Sequence, residues 1–195
     1  MSPRAGLDRG QVVRAATELV NAEGSEALTL SRLAEILHVR TPSLYNHIDN
    51  LADLQRELAL LSVQQLGERM TAAVIGKSGA EALLALAEAY RGYIKASPGL
   101  YMTGLQVKRT AHGQDPALLA AEDRVVRVVM AVIAVYHLDG PDALHAIRGL
   151  RSVVHGFATL EVVGGFGLPL DCDESFRRLM TLFIGSLQLA GIPSK

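Results

Sequence analysis

The stretch that decides the fold is Leu28–Leu54, which reads LTLSRLAEILHVRTPSLYNHIDNLADL. Thr29 is a residue type that caps helix N-termini, and apolar residues from Leu30 to Leu37 follow it at helical spacing. This pattern stops near His38. The first half of the stretch therefore predicts a short helix that ends at a tight turn.

The second half of the stretch predicts another short helix, with Thr41 as its N-cap and Pro42 in the first helical position, where a missing N–H costs nothing. Leu44 and Ile48 fall on one side of this helix, flanked by Tyr45. The opposite side carries Pro42, Ser43, Asn46 and His47. So short a helix must dock through its apolar side. Two such helices, the second presenting hydrogen-bonding groups, describe a helix-turn-helix with its recognition helix.

A longer helix is predicted before this motif. Asp8 and Gln11 have the spacing of a capping box, Leu7 and Val12 that of a hydrophobic staple, and Gly24 ends the apolar repeat. The N-terminal region is therefore expected to contain three helices.

These residues resemble the N-terminal domain of the tetracycline-repressor (TetR) family of bacterial transcription regulators. The resemblance lies in the apolar spacing of Leu28–Leu54 and in its Leu-Tyr-x-His run. Two residues depart from the family's pattern. His38 stands where a turn glycine is usual, at a position that often needs positive φ. Leu51 replaces a lysine that commonly follows the recognition helix, which predicts one phosphate contact fewer and a shallower salt dependence of DNA binding.

The resemblance also implies which residues contact DNA. Tyr45 and His47 are expected to bind phosphates and fix the register. The residues expected to face the major groove are Arg40, Thr41, Pro42, Ser43 and Asn46. Arg40 and Asn46 are the strongest base-reading candidates, because arginine pairs bidentately with guanine and asparagine with adenine. The start of the second helix adds Thr29, Ser31 and Arg32.

Composition restricts the classes of protein. The chain has 195 residues, 49% of them apolar, and its one cysteine, Cys172, excludes an internal disulfide and a thiolate metal cluster. The net charge is −1, and the first fifty residues hold five arginines against six acids, so DNA binding has to rest on local placement of charge. The apolar run Val128–Tyr136 is about half of what spans a bilayer. We expect a cytoplasmic protein with no membrane association.

Residues 51–195 predict a second, all-helical domain after a DNA-binding domain in residues 1–50. Its expected helices cover Leu51–Ile75, Ala80–Ala96, Pro98–Lys108, Pro116–Tyr136, Pro141–Val163 and Asp173–Ala190. With the three N-terminal helices they give an all-α fold of about nine helices. The run HGFATLE at His155–Glu161 is similar to a C-terminal type found in part of the family, which implies a ligand-binding and dimerisation domain.

The last two helices are the predicted contact of a homodimer. Small residues follow one side of the first of them: Gly149, Ser152 and Gly156. The final helix carries an apolar stripe of Leu179, Leu182, Phe183 and Leu187. Pairing with a symmetry mate would build a four-helix interface. Ordinary packing within the chain is the alternative.

The resemblance implies an unidentified small-molecule effector and no cofactor. Residues proposed to line its site are Tyr93, Met102, Arg109, His155, Thr159 and Phe166. No catalytic or metal-binding residue is predicted, because the sequence lacks H-E-x-x-H, G-x-S-x-G, P-loop and dinucleotide-binding motifs. We therefore do not expect an enzyme.

The sequence predicts a ligand-responsive transcriptional regulator that binds a near-palindromic operator in double-stranded DNA as a homodimer, with repression as its expected role. Two alternatives come from other classes. One is a small-molecule binding protein of the same fold whose DNA binding is weakened or lost, which the neutral charge and Leu51 favour. The other is an all-α enzyme, for which the sequence supplies no arrangement of catalytic groups.

Overall fold

The computed structural model describes residues 7–107, 115–138 and 140–190. This part of the chain is helical and contains no strand, which confirms the predicted all-α fold. Its nine α-helices are α1 (Arg9–Glu23), α2 (Leu30–Ile36), α3 (Thr41–Leu44), α4 (Leu51–Val74), α5 (Gly79–Ala96), α6 (Pro98–Gln106), α7 (Pro116–Ile133), α8 (Gly140–Val162) and α9 (Cys172–Ala190). None of these helices is long and apolar enough to cross a membrane.

The described residues form two compact units. The first consists of the described parts of Met1–Val63 and Ser97–Leu119, and the second of those of Gln64–Ala96 and Ala120–Lys195. Helices α4 and α7 each run from one unit into the other. The expected functional boundary at residue 50 stays a prediction.

The core of the first unit joins α1, α2, α3, the start of α4 and α6. Its fully buried side chains include Val12, Val20, Leu33, Leu44, Leu54, Leu58 and Leu100. Helix α6 lies very close to the end of α1 at Gly99, where a Cβ atom would stand 1.7 Å from the carbonyl oxygen of Val20. The next amide, of Leu100, donates to Asn21 Oδ1 at 2.9 Å. Glycine is therefore required where α6 meets α1.

The second unit is built on the packing of α5 against α8, with α9 beside both. Arg91 of α5 is buried within it, 7% exposed. Its guanidinium donates through Nε and Nη2 to both oxygens of Glu161, each at 2.7 Å, and Nη2 also lies 2.7 Å from Asp173 Oδ1. The rings of Phe157 and Phe176 flank the same guanidinium. One buried cation therefore ties together the three helices.

The helix boundaries differ from the predicted ones mainly at the ends. Helix α7 stops at Ile133, and Ala134–Tyr136 continue as a tighter 3₁₀ turn that ends at His137 with a φ of 55°. Helix α6 ends at Gln106. Such shortening is usual, because the last turn of a helix often changes to i→i+3 bonding.

Candidate DNA-binding surface

Helix α2 begins and ends as the sequence predicts. Thr29 Oγ1 accepts from the amide of Arg32 at 3.1 Å, which is an N-cap bond. At the other end the amide of Val39 donates to Ala34 O at 3.0 Å, and that of His38 to Glu35 O at 3.1 Å. These are the two bonds of a Schellman motif, which needs a left-handed residue between helix and turn. His38 supplies it with a φ of 53°, as expected for the position of the usual glycine.

The recognition helix α3 is shorter than predicted and begins one residue earlier. Thr41 is its first helical residue rather than its N-cap, because Arg40 is extended and its carbonyl accepts the first turn bond from Ser43 at 2.8 Å. After Leu44 the chain continues as a turn with i→i+3 hydrogen bonds, such as the bond from the amide of His47 to Leu44 O at 2.9 Å. Pro42 lies in the first turn in either assignment, where its missing N–H leaves no acceptor unpaired.

The two sides of α3 and its following turn differ in exposure, as predicted for Leu44, Ile48, Pro42 and Asn46, whereas Tyr45, predicted beside the apolar pair, is exposed. Leu44 and Ile48 are buried at 0% and 1% exposure, and they dock the segment on the core of the first unit. The exposed residues of the segment are Arg40, Pro42, Tyr45 and Asn46. Thr41, Ser43 and His47 are half-buried. The surface therefore presents one cation, one amide and one phenol most openly, with two hydroxyls and an imidazole at its edge.

At the start of α2, Thr29, Ser31 and Arg32 are exposed. The Arg32 guanidinium bonds Glu23 Oε1 at 2.7 Å and Glu35 Oε2 at 3.4 Å. The hydrogen bond with Glu23 is the main cause that raises the pKa of Arg32, and it lowers the pKa of Glu23 in return. Exposed ion pairs of this kind are weak, so a phosphate can replace the carboxylates.

Arg9 is a residue of this surface that the sequence analysis missed. It lies on the first turn of α1, and its guanidinium reaches the carbonyl of His47 at 2.9 Å. That carbonyl lies near the end of the recognition segment, by which we mean α3 and the turn after it, residues 41–48. The same group pairs with Asp53 and Glu57 of α4. Its partners lie 38 to 48 positions along the chain. No local sequence pattern signals contacts over such a separation.

The residues proposed for an effector site have varied surroundings. Within the second unit, Tyr93 is fully buried and lies under the guanidinium of Arg69, with 5.3 Å from Cζ to the ring centre. Thr159 Oγ1 donates to His155 O at 2.7 Å. Burial is the main cause that lowers the pKa of His155, followed by the charge of Arg151. These residues stay predictions as ligand contacts.

Two further members of that set are exposed. Phe166 is 39% exposed and lies 4.7 Å from the ring of Phe157. Met102, which is also 39% exposed, belongs to the first unit. Arg109 lies outside the described residues. Among the residues the structure does describe, no group of three or more His, Cys, Asp or Glu side chains is placed to hold a metal ion.

Comparison with known proteins agrees with this geometry over nearly the whole chain. Residues 83–183 match the family described as "Tetracyclin repressor-like, C-terminal domain". The chain is 34% identical to the HTH-type transcriptional regulator YobS of Bacillus subtilis, itself uncharacterised, over 96% of each protein. It is also 34% identical to an uncharacterised HTH-type transcriptional regulator of Mycobacterium tuberculosis, over 88% of this chain and 78% of that protein.

The fold recurs in solved structures of lower identity. A single-substitution variant of TetR from Acinetobacter baumannii, in complex with minocycline, superposes with a TM-score of 0.71 at 21% identity, and the match covers 96% of this chain and all of that one. Three observations indicate the same family: the helix-turn-helix geometry, the C-terminal family match and the identity to whole regulators. The chain belongs to the TetR family of DNA-binding transcriptional regulators.

Proposed function

We propose that this protein is a repressor that binds a near-palindromic operator as a homodimer and leaves it when a small molecule binds the second unit. The observation that carries the proposal is the α2–α3 surface, where buried Leu44 and Ile48 hold Asn46 and Arg40 outward. A helix docked in this way can enter a major groove. Such a regulator of bacterial DNA works in the cytoplasm.

Roles within the surface follow from side-chain chemistry. Arg40 and Asn46 read bases, because their planar groups match guanine and adenine edges. Tyr45 and His47 hold phosphates, and Arg32 would add a further phosphate contact only if DNA displaced its carboxylate partners. Arg40→Ala and Asn46→Ala are therefore expected to change which sequences are preferred. His47→Ala is expected to weaken binding to all sequences about equally.

Exposed apolar side chains on the last two helices support the dimer. Leu144 and Val162 lie on one side of α8, 52% and 40% exposed. On α9, Leu182 of the predicted stripe is 73% exposed, as is Leu189 one heptad later, whereas Leu187 of that stripe is buried within the chain. Large apolar groups exposed in this number mark an interaction surface. Gly149 serves the chain's own packing, since a Cβ there would lie 3.1 Å from the Phe183 ring. Our proposed interface is the outer side of α8 and α9.

The effector is proposed to act through α4, which connects the recognition region to the second unit. The solved A. baumannii protein of the same fold holds minocycline, which supports a small-molecule site in this chain. A ligand that prefers the DNA-incompetent arrangement would contribute a coupling free energy of about 1–3 kcal/mol. The residues proposed for its site include Tyr93, His155 and Thr159.

The test is a selection of duplexes from a random library with the purified protein, at low and moderate salt. Enrichment of a near-palindrome with fixed half-site spacing is the expected result, because two recognition helices related by a two-fold axis read two half-sites. The variants Arg40→Ala and Asn46→Ala are then selected in parallel. Unchanged sequence preference in both would refute the base-reading assignment.

A second candidate function is a small-molecule binding protein of the same fold that has lost DNA binding. The Arg32 ion pairs favour it, because they occupy a cation that could otherwise bind phosphate. Leu51 also favours it, because its apolar side chain packs against the core of the first unit and offers no charge to DNA. No enrichment at either salt, together with retained binding of small molecules in a thermal-shift screen, would favour this candidate over the repressor.

A further inference from the structure

The segment that joins the recognition helix to α4 is held by side chains from two helices. Arg9 of α1 donates through Nη1 to the carbonyl oxygen of His47 at 2.9 Å. Through Nη2 it lies 3.1 Å from Asp53 Oδ2 and 2.6 Å from Glu57 Oε2, both on the first turns of α4. A single guanidinium therefore bonds the end of the recognition segment and the start of the next helix at once.

Asp53 extends this arrangement to the backbone. Its Oδ2 atom accepts from the amide of Asp49 at 3.3 Å. The amide of Asp53 in turn donates to Asn50 Oδ1 at 2.9 Å, which caps α4. We call the set Arg9, Asp53 and Glu57 the connection clamp, because it encloses residues 47–50. The clamp thus bonds two backbone groups of this connection: the carbonyl of His47 through Arg9, and the amide of Asp49 through Asp53.

The recognition segment depends on such support because it is short. Helix α3 has four residues, so few of its backbone groups are bonded within the helix itself. Its buried anchors, Leu44 and Ile48, fix how deep it lies. They also set which side faces outward, and the groups bonded to its backbone hold the turn after Leu44 in place. Asn46 and His47, which are proposed to contact DNA, stand directly before the carbonyl that Arg9 holds. A shift of that carbonyl moves both side chains.

We infer that Arg9 is a positioning residue for DNA recognition: it holds the turn after α3 in place through the His47 carbonyl and makes no phosphate contact itself. The inference rests on the proposed function and deepens it. Its geometric basis is that Nη1 and Nη2 are both occupied by acceptors of the chain. The two carboxylates beside the guanidinium also repel a phosphate.

The experiment compares Arg9→Gln with Arg14→Gln, a matched loss of one exposed arginine from the same helix. Each variant is titrated against the duplex selected by the unaltered protein, over a range of salt concentrations. Arg9→Gln is expected to weaken binding about tenfold, the equivalent of one lost hydrogen bond to a charged group. The slope of log K against log salt is expected to match that of the unaltered protein, whereas a lost phosphate contact would reduce it by about 0.9.

Hydrogen exchange of the amides in residues 41–50 gives a readout that needs no DNA. Exchange in this segment is expected to become at least several times faster in Arg9→Gln than in Arg14→Gln, with the helices of the second unit unaffected. If both variants exchange alike, or if the salt slope of Arg9→Gln falls by a full phosphate contact, the inference is wrong. If the unaltered protein binds no duplex, the proposed function fails, and the exchange comparison still decides whether Arg9 orders the segment.

Discussion

Gly99 is the position where a single added methyl group is expected to destabilise the first unit most. It lies on the first turn of α6, and a Cβ atom there would stand 1.7 Å from Val20 O, 2.2 Å from the Val20 carbonyl carbon and 2.8 Å from the amide nitrogen of Asn21. All three atoms belong to the backbone of α1, so no side-chain rotation relieves the clash. Ordinary contact begins near 3.4 Å, which requires the two backbones to separate by about 1.7 Å.

The cost of Gly99→Ala follows from what that separation breaks. Overpacking in a rigid site costs about 1–3 kcal/mol. The hydrogen bond from the Leu100 amide to Asn21 Oδ1 is lost as well, which adds about 1 kcal/mol. Leu100 is fully buried and would lose part of the roughly 1.5–3 kcal/mol that its burial contributes. We expect the free energy of unfolding to fall by about 3–5 kcal/mol.

Urea denaturation followed by circular dichroism measures this change, with Gly92→Ala as the matched control. Gly92 lies within α5, and nothing stands within 4 Å of the position of its Cβ. Alanine there is expected to stabilise the protein by about 0.5–1 kcal/mol, because glycine is a poor residue for a helix interior. A Gly99→Ala variant within about 1 kcal/mol of the unaltered protein would show that α6 and α1 are not held at the distance described.

Three further predictions concern backbone strain and buried charge. His38→Gly is expected to raise the free energy of unfolding by about 0.5–1 kcal/mol, because glycine adopts the left-handed φ at lower cost; no gain in urea denaturation would contradict this. Glu161→Gln is expected to lower the free energy of unfolding by about 3 kcal/mol, because it leaves the buried Arg91 without its bidentate partner. Asp173→Asn should lower it by less than about 1 kcal/mol, because the Asp173 side chain is 71% exposed. Equal losses in the two variants would be inconsistent with this ranking. A hydrogen bond from an arginine on α4 lowers the pKa of Asp115. The Asp115 carboxylate therefore stays charged in the folded chain at a pH at which it takes up a proton in the unfolded chain. This stabilisation is present above about pH 4 and is lost as the pH falls further, so Asp115→Asn should flatten the stability profile between about pH 5 and 2, and an unchanged profile would refute it.

The features that the sequence predicts well are those whose partners lie close along the chain. The capping box of α1 forms as expected, with Gln11 N–H to Asp8 Oδ1 at 2.7 Å and Asp8 N–H to Gln11 Oε1 at 3.0 Å. The Thr29 cap and the left-handed His38 are of the same kind, since their bonds span three to five residues. Helix ends are set by such local bonds, which explains why most predicted boundaries lie within two residues of the observed ones.

The features that the sequence did not predict depend on pairs that only the tertiary fold brings together. Arg91 and Glu161 are 70 positions apart, and Arg9 and Glu57 are 48 apart. One of them nevertheless left a local signal. Arg91 lies in a stripe of buried α5 residues, four positions after Ala87 and eight after Leu83. A charged residue at a core position implies a buried partner, although the sequence alone does not identify Glu161 as that partner.

The distribution of charge in the first unit has a consequence for how DNA is selected. All four arginines within the described residues 7–50 are exposed, and two of them, Arg9 and Arg32, are paired with carboxylates. Few cations therefore remain to neutralise phosphates, and the sequence-independent part of the binding energy should be small.

Contacts to base edges do not depend on counterion release, so they should survive added salt better. Between about 50 and 200 mM salt, the affinity for an unrelated duplex should fall by less than the 10³-fold or more lost by proteins that make six to ten phosphate contacts. The ratio of affinities for the selected and the unrelated duplex should stay nearly constant over the same range. A steep loss for both duplexes would mean that Arg32 and Arg9 leave their carboxylates when DNA binds.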